Sequence, residues 1–195
     1  MTAMKPPHRT FHPALGFSFI ELVMVLAVVA IVAAIALPTI GRVADSIRVS
    51  TSGRAVEREL QSARLTAVSA NRAMRVRFNC PGPGQFRMVE LIGTPRAPDA
   101  ADSAADRCDP VKYPYPVPDR NVLTRPNNDG PVRTIDSLVQ FTATTTIEFW
   151  PDGTAHSQGA SNPWPAIVAP VTISVQRGTY TKSITVNGVG KVQVQ

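Results

Sequence analysis

The feature that most constrains this chain is an uninterrupted apolar run near its start. Every residue from Leu22 to Leu37 is apolar, and Pro38 follows directly. An α-helix rises about 1.5 Å per residue, so roughly 22 residues, 17 to 38, would span about 30 Å, the thickness of a bilayer's hydrocarbon core. We therefore expect one membrane-spanning helix, with residues 1–16 on the cytoplasmic side.

A single carboxylate, Glu21, stands at the start of this run. A charged side chain deep in a membrane costs roughly 2.5 to 3.5 kcal/mol on insertion scales, which predicts a functional role and a positively charged partner. Two other interpretations stay open at this level. In one, Glu21 reaches the lipid head groups and the helix is only an anchor. In the other, Ala34-Ile35-Ala36 is a secretory cleavage site, and the chain from Leu37 onward is released.

The residues around Glu21 resemble a known processing signal. Gly16 and Phe17 are followed by a small polar residue, two apolar residues and Glu21, directly before the apolar helix. This order is similar to the class III signal of type IV pilins and type II secretion pseudopilins. The resemblance implies that a prepilin peptidase cleaves after Gly16 and methylates the new amine of Phe17. It also implies that Glu21 pairs with the N-terminal amine of a neighbouring subunit during filament assembly.

The residues after the apolar run predict an α+β arrangement. The helix is expected to continue over 39–72 as an amphipathic segment, with Gly53 as a candidate soft point. Its apolar positions are Ile40, Val43, Ile47, Val56, Leu60, Ala63, Ala67 and Ala70. Beyond residue 72 the apolar period changes to two, which predicts antiparallel strands over 73–195. Together with the resemblance of the N-terminal segment, this arrangement implies a pilin-like fold in which a long N-terminal helix packs on antiparallel β-sheets.

Two cysteines and a proline-rich region fall inside this β domain. Cys80 and Cys108 belong to the part expected outside the cytoplasm, where disulfides persist, so we predict one bond; two free buried thiols are the alternative. Cys108 lies in 93–131, where prolines among Asp, Asn and Ala predict a long surface loop and a contact surface. Arg75 and Arg77 share one face of the first strand and are expected at the surface, with binding of phosphate or an acidic partner as the alternative.

Three stretches in the C-terminal part of the chain narrow the resemblance to one family among the pilins and pseudopilins. The stretch from Ile147 to Thr154, the stretch from Ile184 to Gly188 and the terminal Gly190-Lys191-Val192 are similar to the GspH/FimT family of minor pseudopilins and minor pilins. The secretion branch of this family forms a periplasmic pseudopilus that helps export folded proteins, and the pilus branch assembles type IV pili. The resemblance implies three partners: other pseudopilins or minor pilins, the prepilin peptidase and the inner-membrane assembly platform.

Some members of the pilus branch bind DNA through a Gly-Arg-x-Arg motif, which is only partly present here. Gly190 matches, Lys191 keeps the charge, and Gln193 replaces the second arginine. Lys191, Lys182 and Arg177 would form a small basic patch, and DNA binding depends on such phosphate-neutralising cations. The partial motif favours a secretion pseudopilin, with a pilin of pilus assembly or DNA uptake as the alternative.

The sequence does not predict an enzyme. Outside the expected leader, His156 is the only histidine, and the chain has no Ser/His/Asp order, paired-cysteine metal spacing or phosphate loop. His156 follows Asp152 in a polar stretch and is expected to be exposed. No catalytic residue, metal or cofactor is expected.

The expected organisation has four parts. They are a leader over 1–16, a transmembrane and filament-core helix over 17–38, its amphipathic continuation over 39–72, and a periplasmic β domain over 73–195 that includes the loop 93–131. We expect a single pass through the inner membrane with the β domain in the periplasm, followed by assembly into a periplasmic pseudopilus or a surface pilus.

Overall fold

A long helix opens the part of the chain that the structure describes. The structure is a computed structural model that describes residues 16–121 and 123–195, so the leader prediction lies outside the described residues except for Gly16. Helix α1 spans Phe19–Ala70 and is followed by short strands and two 3-10 turns, Ala100–Ser103 and Ala105–Cys108. The strands are β1 (Met74–Phe78), β2 (Gln85–Glu90), β3 (Arg133–Thr134), β4 (Gln140–Ala143), β5 (Ile147–Phe149), β6 (Ala155–Ser157), β7 (Val171–Arg177), β8 (Tyr180–Val186) and β9 (Val192–Val194).

The chain divides into two units, Met1–Arg42 and Val43–Gln195. In the first unit, the apolar side chains between Phe17 and Ile35 are exposed to the surroundings. Helix α1 is long and apolar enough to cross a membrane, and this stretch supplies its apolar part. The first unit therefore fits a single-pass membrane anchor.

The second unit contains two antiparallel sheets. A five-stranded sheet has the order β3-β2-β1-β5-β6, and a four-stranded sheet has the order β4-β7-β8-β9. The predicted hairpin forms between β1 and β2, with Val76 opposite Met88. The last three strands of the chain form a meander, with Ile173 opposite Ile184 and Ile184 opposite Val194. The predicted α+β arrangement is confirmed.

The core of the second unit lies between α1 and both sheets. The helix contributes a stripe of buried residues spaced three, four or seven apart, as an amphipathic helix should. These residues are Val49, Val56, Leu60, Ala63 and Ala67. The predicted stripe is therefore confirmed from Val56 to Ala67, it also includes Val49, and Ala70 is only partly buried. Val43 and Ile47 are exposed, so the apolar positions before Val49 do not belong to the core as expected.

Gly53 lies against strands β7 and β8. A Cβ atom at this position would be 3.4 Å from the Cβ of Lys182 and 3.8 Å from a methyl group of Val175. These are ordinary van der Waals distances, so a small side chain would fit here, and the soft point in the helix stays a prediction. The helix ends at Ala70, because Asn71 takes a left-handed conformation with φ of 52°.

Candidate functional site

The predicted processing segment begins the described part of the first unit. Phe17 is 84% exposed, and among the described residues beyond its chain neighbours no atom lies within 4 Å of a Cβ built on Gly16. Glu21 lies in the first turn of α1, where a carboxylate interacts favourably with the helix dipole. Among residues 16–121 and 123–195, the ion pairs do not include Glu21. The arrangement leaves the peptide bond after Gly16 accessible and the carboxylate available.

The two cysteines form the predicted disulfide. Cys80 follows β1 and Cys108 ends the second 3-10 turn, with their Cα atoms 5.6 Å apart. Both are buried together with Val89 in a small cluster separate from the main core. The bond attaches the proline-rich segment 93–131 to the five-stranded sheet.

This segment covers a layer of charged side chains that the sequence did not lead us to expect. We call it the buried charge layer, and its members are Arg75, Arg87, Glu90, Arg107, Asp129 and Glu148, each at most 3% exposed. Four of them lie on strands of the five-stranded sheet, and Arg107 and Asp129 come from the segment 93–131. A buried charge is stable only when it is paired and hydrogen-bonded, so the contacts of this layer decide whether the segment can lie here.

Arg75 is buried, although the sequence predicted a surface position for it. Its Nε donates a hydrogen bond to Glu148 Oε2 at 2.7 Å, and its guanidinium lies over the Trp164 ring at 4.0 Å from the centroid. The indole of Trp150 donates to the other oxygen of Glu148 at 2.7 Å. Arg77, its neighbour on the same face, is half-buried and donates to the carbonyl of Ala104. The expectation of a plain arginine surface is therefore wrong.

Arg107 and Asp129 form the centre of the layer. Both terminal nitrogens of Arg107 donate to the Asp129 carboxylate, at 2.5 and 2.7 Å, which is the bidentate geometry that arginine favours. One oxygen of Asp129 also accepts the main-chain N–H of Glu90 at 2.7 Å. Both side chains are fully buried.

Arg87 binds the segment 93–131 mainly through main-chain carbonyls. Its guanidinium donates to the carbonyls of Gly130 at 2.7 Å, Cys108 at 3.2 Å and Tyr113 at 2.6 Å. Burial lowers the pKa of Arg87, and the nearby Asp129 carboxylate opposes this effect. The segment 93–131, which was expected to be a long surface loop, therefore covers the five-stranded sheet. It supplies the hydrogen-bond acceptors that Arg87 of the sheet needs.

Sequence reasoning missed Arg87, Arg107 and Asp129 because charged residues were taken as solvent-facing. One signal was available. Arg107 directly precedes Cys108, and the predicted bond to Cys80 brings that position to the end of β1. An arginine held at the edge of a sheet face in this way was a candidate for contact with the sheet.

The three C-terminal cations do not form the predicted patch. Arg177 pairs with Tyr180 at one end of the β7–β8 hairpin and forms an ion pair with Asp45 at 2.5 Å. Lys191 lies at the other end, next to Val192, the β9 residue opposite Val186. Six residues of strand separate these ends, about 20 Å at roughly 3.3 Å per residue. Lys191 instead shares a cavity of about 310 Å³ with Arg64.

His156 is buried, although it was expected to be exposed. Its ring stacks on Trp150 with centroids 3.7 Å apart, and its Nδ1 lies 2.8 Å from the carbonyl oxygen of Trp164. The hydroxyl of Thr154 is 3.2 Å from its Nε2. Within the described residues, no group of three or more His, Cys, Asp or Glu side chains is arranged to hold a metal. The surroundings of His156 are those of a packed core residue.

Comparisons with known proteins give structural neighbours only. No family model matches the chain, and no curated protein matches it. Two crystal structures of the type IV minor pilin FimU from Pseudomonas aeruginosa are similar to it. One has a TM-score of 0.41 at 13% identity over 75% of this chain and 91% of FimU, and the other has 0.44 at 12% identity over 75% and 87%. Both TM-scores lie below 0.5, so the functional assignment depends on this chain's own residues.

Proposed function

We propose that this chain is a structural subunit of a pilin-type filament and, more specifically, a minor pseudopilin of a type II secretion system. The observation that carries the proposal is the order of three features at the start of helix α1 and along it. Gly16-Phe17 precedes Glu21, an exposed apolar stretch follows, and the same helix then supplies the buried stripe of a disulfide-bonded β domain. An anchor alone would need neither the junction nor the carboxylate.

The exposed apolar stretch of helix α1 has to be covered both before and after assembly. Its exposed side chains need lipid before assembly and the helices of other subunits afterwards, because exposed apolar surface of this extent is unfavourable in water. Burying Glu21 among such helices is costly unless it meets a positive charge. The methylated amine of Phe17 on a neighbouring subunit would supply that charge.

We also propose which partners this subunit has and where in the cell it lies. A prepilin peptidase removes residues 1–16, and the inner-membrane assembly platform adds the subunit to other pseudopilins or minor pilins. The helix crosses the inner membrane once, with the β domain in the periplasm. The Cys80–Cys108 bond is consistent with that oxidising compartment.

Two variants test the processing and the assembly steps separately. We expect Gly16→Ala to insert into the membrane but to be cleaved poorly, seen as a retained leader by mass spectrometry. We expect Glu21→Ala to be cleaved normally but to be largely lost from the sheared or cross-linked filament fraction. Glu57→Ala, a carboxylate change on the same helix within the second unit, is the control for loss of one negative charge. Normal assembly of Glu21→Ala would contradict the proposed pairing.

The alternative is a minor type IV pilin that contributes to pilus assembly or takes up DNA. The observation that favours it is the partial motif at Gly190 and Lys191, together with Arg64 beside Lys191. Fluorescence anisotropy with labelled duplex DNA across a salt series tests this alternative. Binding that weakens with salt and falls in Lys191→Ala would favour DNA uptake, because phosphate contacts are salt-dependent. Absence of binding at low salt would exclude DNA uptake and leave the domain with a packing and contact role in a filament.

A further inference from the structure

Three arginines converge on one cavity of the second unit. Arg72 follows the end of helix α1, and Arg120 and Arg125 come from the segment 93–131. Together with Ala70, Glu90, Asn127 and Asn128 they line a cavity of about 230 Å³. A water occupies about 30 Å³ in the liquid, so the cavity has room for a small oxyanion and several waters.

The charges around this cavity are unbalanced. The residues that line it include three arginines and one carboxylate, that of Glu90, which is a formal excess of 3 − 1 = 2 positive charges. Arg72 lies 3.9 Å from Glu90, and the ion pairs formed within 16–121 and 123–195 include neither Arg120 nor Arg125. Like charges held close together are unfavourable unless an anion joins them.

One oxygen of Glu90 is already used by hydrogen bonds to the segment 93–131. Its side chain is 1% exposed, and its Oε2 already accepts hydrogen bonds from the main-chain N–H groups of Asn127 and Asn128 at 2.8 and 2.9 Å. The amide of Asn128 donates to the same oxygen at 3.0 Å. The carboxylate is thus committed to holding the segment 93–131 in place.

The arginines are positioned and still have free donors. One terminal nitrogen of Arg120 donates to the carbonyl of Asn127 at 2.8 Å, and one of Arg125 donates to the carbonyl of Ile92 at 3.4 Å. Each guanidinium has five N–H groups, so several stay available to a ligand. Arg72 and Arg125 are half-buried, which limits the screening of their charges by water.

We propose that this cavity binds a doubly charged oxyanion, a phosphate group. Arginine is the side chain best suited to such a ligand, because its planar fork donates two parallel hydrogen bonds to phosphate oxygens. A dianion matches the two unbalanced positive charges. The site is independent of the proposed filament role, since it uses neither the N-terminal segment nor Lys191.

Isothermal titration calorimetry of the full chain in a non-ionic detergent tests the site, with inorganic phosphate as the titrant at constant ionic strength. We expect one saturable site per chain. Arg125→Gln and Arg120→Gln should each weaken phosphate binding at least about ten-fold, because each removes a charge-assisted hydrogen bond. Arg120 is exposed, so its variant keeps the fold even if Arg125→Gln does not. Arg96→Gln, an exposed arginine outside the cavity, is the matched control.

A second titration with glycerol phosphate identifies the source of the phosphate group. Tighter binding of the ester assigns the site to a phosphomonoester on a larger molecule, and rejection of the ester assigns it to free phosphate. Three results would overturn the proposal: no saturable heat with either compound, the same heat with chloride, or equal phosphate affinity in Arg120→Gln and the unmodified chain. Failure here leaves the filament proposal untouched, because that proposal is tested at Gly16 and Glu21.

Discussion

The apolar start of helix α1 and the buried charge layer depart from the usual pattern of burial in opposite directions. Between residues 17 and 35 the apolar side chains are exposed, with Ile31 at 64% and Ile35 at 72%. In the charge layer, Arg87 and Arg107 are fully buried. Apolar residues are usually inside, and arginine is almost never fully buried unless it is paired.

The difference is in where each region finds its partners. The buried charge layer finds its partners within the chain, in Asp129, Glu148 and main-chain carbonyls; among the described residues only the Nε of Arg107 in this layer is buried without a hydrogen-bond partner. The apolar side chains between Phe17 and Ile35 are exposed among the described residues, and Glu21 has no ion pair there. One region therefore stabilises the fold, and the other needs a membrane or other subunits.

The largest expected effect comes from breaking the centre of the charge layer. Asp129→Ala leaves Arg107 buried without its carboxylate, and removing one partner of a buried pair costs about 3 to 5 kcal/mol. We expect the free energy of unfolding to fall by about that amount. Urea unfolding followed by fluorescence of Trp150 and Trp164, both in the second unit, measures it.

Asp106→Ala is the matched control for this change. Asp106 pairs with Lys112 at 2.7 Å, but both side chains are about half exposed. Exposed ion pairs typically contribute about 0 to 1 kcal/mol. Equal losses of stability in Asp129→Ala and Asp106→Ala would show that the buried ion pair contributes no more than the exposed one.

The next effect concerns the covalent attachment of the segment 93–131. Replacing both cysteines, Cys80→Ala with Cys108→Ala, opens a loop with a sequence separation of 28 residues. Loop-closure entropy gives about 3 to 4 kcal/mol for a loop of this length. We expect the stability to fall by that amount and the segment to become more sensitive to limited proteolysis.

Reduction of the unmodified chain with dithiothreitol is the parallel experiment, because it opens the same loop without changing a side chain. It should reproduce both effects. A stability loss below about 1 kcal/mol in the double variant, well under the entropic value, would mean that the charge layer alone holds the segment.

The elements that could be predicted from sequence are those set by local periodicity. The apolar run, the helical stripe from Val56 to Ala67 and the β1–β2 hairpin all follow from spacing within one segment. The disulfide was predictable because the chain has only two cysteines, Cys80 and Cys108. Each of these inferences needs information from nearby residues or from composition.

The charge layer could not be predicted because its partners are far apart in sequence. Arg75 and Glu148 are separated by 73 positions, and Arg87 and Gly130 by 43. Prolines and acidic residues correctly indicated irregular structure over 93–131, but they do not show which surface such a segment covers. The cation patch failed for a related reason, since the hairpin places Arg177 and Lys191 at opposite ends.

The smallest expected effect concerns Glu59, a second carboxylate on the helix that contains Glu21. Glu59 is 6% exposed, and its ion-pair partner Arg133 is 3.4 Å away with a side chain that is 56% exposed. Burial raises the pKa of Glu59 above its usual value of 4.5, and Arg133 only partly opposes this shift. Among the described residues Glu59 therefore has an ion-pair partner and Glu21 has none, but Arg133 only partly compensates the burial of Glu59.

A raised pKa means that the folded state binds a proton more tightly than the unfolded state does. The contribution of Glu59 to the free energy of unfolding therefore falls as the pH rises above about 4.5, because folding then buries its negative charge. We expect Glu59→Gln to unfold at higher urea concentration than the unmodified chain at pH 7, and the difference to shrink towards pH 4. Glu57→Gln, a partly exposed position on the same helix, controls for the loss of one negative charge. If Glu59→Gln is instead less stable at pH 7, the pairing with Arg133 outweighs burial, and Glu59 belongs with the satisfied charges of the domain.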